Sequence, residues 1–208
     1  MITSVLGLLN LSPVSSVTHV TSQTFVLRID TMTRESWRAL CANKSQRQKD
    51  EIPKDWLVID SQLPPANQLN VLEFPRDSGL LTATELRITD SHVETLLPKL
   101  ASGEWSSVEV TRAFYKRAIL AHQVVSSRRV PEGVSMYVNK LMKSQVNCLT
   151  EIFVERALIR AKEIDGYLKR TGSVMGPLHG LPISLKDQLS MKGLETTIGM
   201  YICVMNYP

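Results

Sequence analysis

The 208-residue sequence is poor in the residues that build metal sites, disulfide frameworks and membrane spans. Its three cysteines, Cys41, Cys148 and Cys203, are odd in number and far apart, which argues against a disulfide framework and against a cysteine zinc site. Reduced thiols in a cytoplasmic protein are the expectation. The four histidines (His19, His92, His122 and His179) form no HExxH-like pair, so no metal ion is expected. No apolar run approaches the roughly 20 residues that span a bilayer. The opening Met1–Leu9 is apolar, but it has no basic residues before it and no small-residue cleavage site after it, and residues 1–27 contain no arginine. Positive charge is in slight excess, at +4, without a Lys/Arg run that could track nucleic acid. Neither GxGxxG nor GxxxxGK[ST] occurs, and no cofactor is implied.

What is present is an ordinary globular composition, 43% hydrophobic and 21% charged, with most of the helical signal after Met32. Trp37, Leu40, Cys41 and Lys44 fall at helical spacing behind Thr33, a candidate N-cap, and Pro53 ends that helix. Residues 52–79 hold Pro53, Pro64, Pro65 and Pro75 and read as an extended connector over a surface. Three capping-box patterns follow, at Thr82/Glu85, Ser91/Glu94 and Ser106/Glu109. The second opens a stripe of Val93, Leu96, Leu97 and Leu100, which contains the kink-forming Pro98 and ends at Gly103. The third opens a helix with Val108, Thr111, Tyr115, Ala118 and His122 on one face. Residues 124–145 lose the period. Cys148–Phe153 then alternates like a strand and runs into a helix through Val154, Ala157, Leu158, Ala161 and Leu168 that closes at Gly172.

Turn residues, an apolar strand and one lysine converge in Gly176-Pro-Leu-His-Gly-Leu-Pro-Ile-Ser-Leu-Lys-Asp187. Period 2 puts Ile183 and Leu185 on one face of a short strand, and Ser184 and Lys186 on the other. Strand, helix and strand in succession predict an α/β fold with a helical N-terminal layer. A lysine at such a strand end is ordinarily a surface group whose stem lies along apolar surface, here beside Asp187. The alternative is a desolvated lysine that works as a general base. His179, beside a glycine, reads as a turn residue.

This stretch, followed by Lys192-Gly-Leu-Glu-Thr-Thr-Ile-Gly199, resembles the amidase signature family, in particular its fungal acetamidase-like general amidases. Gly79–Thr82, Leu100–Ser106 and Asn147–Glu151 extend the resemblance, so that residues 32–123 and 146–199 are covered. The resemblance implies the first strands of a mixed sheet beneath the helical layer. It also implies hydrolysis of the carbon–nitrogen bond of small linear amides by a Ser–cis-Ser–Lys triad, with Lys186 as the base. A small-molecule amide is the implied partner, with no nucleic acid, membrane or cofactor, and the oligomeric state is left open. A glutamyl-tRNA amidotransferase A-type subunit and a non-catalytic truncated product are the other two readings.

The family's two serines lie beyond its lysine, and no Gly-Ser-Ser-Gly-like run follows Lys186 in these residues, so the expected product is an inactive N-terminal part of an amidase domain. Residues 32–208 are expected to be that part, with residues 125–145 an insertion, residues 200–208 an aberrant tail, and residues 1–31 a disordered or non-native extension. Val125-Ser126 can be encoded by a GTGAGT donor, Gln145 by a CAG acceptor, and Gly199–Tyr201 by codons containing GTATGT. The genomic DNA is therefore expected to carry intron boundaries at these seams. Sequencing that finds other codons there would remove the intron explanation, and a transcript beginning downstream of Met1 would support Met32 as the start.

Overall fold

The computed structural model describes residues 3–7, 34–65, 68, 70–126, 149–189 and 191–194. Within them the chain is mostly helical. Strand β1 (Thr3–Gly7) is followed by α1 (Arg34–Asp50), a short α2 (Phe74–Asp77), α3 (Ala83–Asp90), α4 (Val93–Ser102), α5 (Ser107–Ser126), α6 (Val154–Thr171) and strand β2 (Ile183–Lys186). Thr33, Cys148, most of the aperiodic stretch and the residues after 194 lie outside the described residues.

Helix α5 runs through the middle of the molecule because three of its faces are apolar. Tyr115 and Ile119 pack with Ile52, Ile152, Phe153, Val154 and Ala157. Val110 and Ala113 pack with Ile88, Leu96, Leu100 and Trp105, and Leu120 and Val124 pack with Leu81. Fully burying one such side chain contributes on the order of 2 kcal/mol, which is why these clusters outweigh the modest helix propensity of the β-branched residues among them. Helices α3 and α6 pack directly against α5. Lys116 reaches Glu85 of α3 at 3.0 Å, and Arg117 bonds Thr89 and Asp90 at 2.8 and 2.5 Å. Burial raises the Glu85 carboxyl, but the Thr82 N–H and the Lys116 ammonium outweigh it and hold the group below its ordinary value.

The caps follow the sequence patterns at two of three places. Thr82 and Glu85 form a complete capping box, and Ser106 and Glu109 exchange bonds of 2.9 and 3.1 Å. The Ser91/Glu94 box does not form. Ser91 ends α3, with its hydroxyl donating to the Arg87 carbonyl at 2.7 Å, and His92 starts α4 without a side-chain cap. The two helices are so close that one serine cannot serve both, and the C-terminal carbonyl takes it. Pro98 lies inside α4, which continues to the left-handed Gly103, φ 74°.

Three other expectations change. The 52–79 connector is partly packed: Trp56 lies against the Tyr115–Phe153 cluster, and Val58, Leu63, Val71 and Phe74 lie against the Leu120 cluster. Gln123 holds it by accepting from the Val58 N–H at 2.9 Å and donating to the Trp56 carbonyl at 3.1 Å. Of the face expected to dock α1, Cys41 is exposed and Lys44 is the member that docks the helix. Its anchors are polar: Lys44 pairs with Glu151, and Gln48 donates to the Leu149 carbonyl. Leu149–Phe153 is not a strand but irregular chain whose Ile152 and Phe153 are buried.

The α/β expectation is met only in part. The one sheet among the described residues has two antiparallel strands, with Thr3 opposite Lys186 and Gly7 opposite Ile183 across an irregularity between Ser4 and Leu6. β2 thus pairs with the N-terminal stretch and not with a strand at 148–153. Two antiparallel strands make no mixed sheet, which needs parallel neighbours.

Gly180 fixes the approach of the loop before β2 to the rest of the fold. It has φ +74°, and a Cβ there would lie 2.3 Å from Ser107 Oγ and 3.0 Å from Leu100 Cδ2. Gly79 shares the left-handed backbone, φ +69°, with open space around it. Gly79→Ala is expected to cost about 1 kcal/mol for the backbone conformation alone. Gly180→Ala is expected to cost at least about 2 kcal/mol more, because the loop must lift from α5. Urea denaturation of the two variants measures the difference, and equal losses would contradict this seating of the loop.

Candidate active site

The candidate site is the Gly176–Asp187 stretch, held from below by the first turn of α5. That turn has all its free donors satisfied. Ser106 N donates to Glu109 Oε2 and Glu109 N donates to Ser106 Oγ. Ser107 N and Val108 N donate to the two carboxylate oxygens of Asp165 at 2.6 and 3.2 Å. Asp165 comes from α6, so one carboxylate joins the two helices where the loop will sit. A charged acceptor at a helix N-terminus is favoured by both the hydrogen bonds and the helix dipole.

The loop folds onto this platform in three contacts. Gly180 lies against Ser107, and Leu181 packs against the Leu96–Trp105 cluster. His179 turns inward, buried to 5% exposure, and its Nδ1 accepts the Met175 N–H at 3.0 Å. An accepting Nδ1 means that the ring proton sits on Nε2. Burial pushes the His179 pKa down, against a smaller opposing pull from Asp165. His179 Nε2, Ser107 Oγ and Thr111 Oγ1 are buried without a hydrogen-bond partner among the described residues. The turn-residue reading of His179 holds as to place, but sequence reasoning missed its burial. A histidine flanked by Leu178 and Gly180 gives no periodic signal that would reveal it.

β2 then alternates as its residues predict. Ile183 and Leu185 are half-buried, with Leu185 against the Tyr115–Phe153 cluster, and Ser184 and Lys186 are exposed. Asp187 is buried beneath the turn, and the Leu189 N–H donates to the Lys186 carbonyl at 2.9 Å. The surroundings of Lys186 are therefore open on its outer side.

With this geometry in view, the relatives are informative. The Amidase family model matches residues 132–208. The chain is 42% identical over 172 residues to the acetamidase of Emericella nidulans, covering 83% of this chain and 27% of that protein. It is 39% identical over 165 residues to the acetamidase of Aspergillus oryzae, covering 79% of this chain and 26% of that one. Among solved structures it matches a fatty acid amide hydrolase with a TM-score of 0.68 at 33% identity, over 91% of this chain and 31% of that one. The chain belongs to the amidase signature family. It spans about a quarter of the length of these acetamidases.

His122 repeats the chemistry of His179 at the far end of α5. It is buried, its Nδ1 accepts the Leu149 N–H at 3.4 Å, and burial lowers its pKa. For both rings the neutral form is favoured in the folded state relative to an unfolded value near 6.5. Their stabilisation is fully present above that value and declines as pH falls through it toward the lower folded pKa. The urea midpoint is expected to drop between pH 7.5 and pH 5, above the range where Glu85, Asp90 and Glu109, all shifted down, begin to contribute. Replacing both histidines by glutamine is expected to flatten that slope. A slope unchanged by the double substitution would place its origin elsewhere.

Proposed function

We propose that this stretch supplies the general base of amide hydrolysis, with Lys186 as that base, in a hydrolase of small linear amides. The observation that carries the reading is the outward presentation of Lys186 from a seated Gly/Pro loop, in a chain related to two acetamidases. In a Ser–cis-Ser–Lys triad the neutral amine takes a proton through the bridging serine while the second serine attacks the amide carbon. The acyl-enzyme then reacts with water, and backbone N–H groups stabilise the oxyanion. The Gly176–Pro182 loop and Asp187 have the structural part: they fix where the β2 backbone ends, and hence the origin of the lysine side chain.

No paired serine run follows Lys186 in these 208 residues, so turnover depends on groups outside them. The division into an extension over residues 1–31, an insertion at 125–145 and a tail at 200–208 belongs to the same reading. A cytoplasmic location is part of it too. No helix among the described residues is long and apolar enough to cross a membrane.

Two assays test the reading. The chain alone, given acetamide, is expected to release no ammonia above buffer; turnover lost on Lys186→Ala would overturn the dependence on outside groups. A chimera in which residues 32–199 replace the matched stretch of the Emericella nidulans acetamidase is expected to hydrolyse acetamide. Lys186→Ala in that chimera should lower kcat at least about 10²-fold. A chimera indifferent to Lys186→Ala would remove the lysine from the chemistry.

A further inference from the structure

Arg160 of α6 ties the residue just before the Gly176–Asp187 stretch to that helix. Its Nη1 donates to Glu163 Oε2 at 2.8 Å, and its Nη2 donates to Met175 Sδ at 3.4 Å. Its Nε is buried and has no hydrogen-bond partner among the described residues. The Nε and Nη2 hydrogens lie along one edge of the planar guanidinium, an edge that suits an oxygen acceptor in a fork. Here that edge meets a thioether, which is a weak acceptor. A buried N–H without a partner is costly, so an oxygen on this edge would remove a penalty as well as add a bond. Met175 is placed to supply one. Its side chain is 43% exposed, while its backbone is held by the N–H that donates to His179 Nδ1 at 3.0 Å. Met191, by contrast, is partly buried against the Tyr115–Phe153 cluster.

We propose that Met175 is an oxidation site read by Arg160: hydrogen peroxide converts the thioether to the sulfoxide, and the sulfoxide oxygen takes the Nε/Nη2 edge of the guanidinium. The sulfur has two lone pairs. One faces Arg160, and the other is open to attack on peroxide from the exposed side. An S–O bond forms as the O–O bond breaks. The sulfur is oxidised by two electrons, and the departing hydroxide takes the proton of the transferred oxygen and leaves as water. Rotation about the flexible terminal bonds of the side chain then turns the new oxygen onto the guanidinium. A weak acceptor is thereby replaced by a strong one that meets a cation. Oxidation of a methionine ordinarily disrupts a structure, because it puts a polar group into an apolar place. Here the sign is reversed. The sulfur already lies at the surface beside a guanidinium that lacks an acceptor, so oxidation fastens the chain before Gly176 to α6. The inference does not rest on the amidase reading.

The test treats the full 208-residue chain with hydrogen peroxide and follows two quantities by peptide mass spectrometry: the gain of one oxygen at each methionine, and amide hydrogen exchange in the 173–180 segment. Met175 is expected to gain its oxygen faster than Met191. Exchange in the segment is expected to slow at least about threefold in the oxidised chain. Methionine sulfoxide reductase should restore the original exchange rate. Arg160→Lys keeps the charge but has no fork, so it is expected to be oxidised at Met175 without the slowing. Met175→Gln carries a carbonyl oxygen at similar reach and is expected to show the slowing with no peroxide, whereas Met175→Leu should respond to neither. Exchange that is unchanged or faster in the oxidised parent overturns the proposal, as does slowing that survives Arg160→Lys or Met175→Leu. So does a Met175 oxidised no faster than Met191. The Met175→Gln comparison needs no oxidant, so it stands whatever else peroxide modifies, and exchange there equal to that of the parent overturns the proposal too.

Discussion

The carboxylate of Asp165 is the contact on which the placement of the lysine strand depends. It accepts from Ser107 N and Val108 N, two of the donors that a helix start leaves free, while the Ser106/Glu109 pair takes two more. A short-range capping box would have satisfied α5 by itself only in part. By adding a carboxylate from α6, the fold makes the start of α5 conditional on the packing of α6. That start is also the floor under Gly180. Helix capping, helix pairing and loop seating are therefore one arrangement, and the origin of Lys186 inherits its rigidity from all three.

The same arrangement explains why the inner face of the loop is so selective. Gly180 must be glycine for two independent reasons, its left-handed backbone and the closeness of Ser107 Oγ. His179 must be small enough to turn under the loop and neutral enough to stay there, with its Nδ1 satisfied by a backbone N–H. The outer face is under no such constraint in this chain. Leu178, Ser184, Lys186 and Leu189 meet solvent, so the stretch is rigid where it touches α5 and open where it presents the lysine.

Much of this was legible in the residues, for identifiable reasons. Helices α4 to α6, two of the capping boxes and the glycine stops at Gly103 and Gly172 are set within a few residues of sequence, and local rules reached them. The alternation Ile183–Lys186 was likewise local. What local rules could not reach was anything decided by a partner distant in sequence. Ser91 lost its cap to the Arg87 carbonyl because α3 and α4 nearly abut. Ile152 and Phe153 are buried by α5 without a neighbouring strand, so their alternation carried no sheet. α1 docks through Lys44 and Gln48, each more than 100 positions from its partner. The pairing of Thr3–Gly7 with β2 crosses almost the whole chain. For the site, the family resemblance singled out Lys186, but the burial of His179 and the part played by Asp165 emerge only once α5, α6 and the loop are assembled.

That assembly also separates the two faces of β2. The interior beneath β2 is finished: Leu185 is packed, Asp187 is buried, and the donors of α5 are paired. A lysine becomes a base when its environment penalises the ammonium more than the amine, which takes burial or a neighbouring cation. Tightening the inner packing would not cover Lys186, because its exposure comes from the opposite side of the strand. The outer face of the strand, where Ser184 and Lys186 are exposed, has no counterpart to that packed interior among the described residues. The inner face, set by α5 and α6, therefore fixes where the Lys186 side chain starts without covering it.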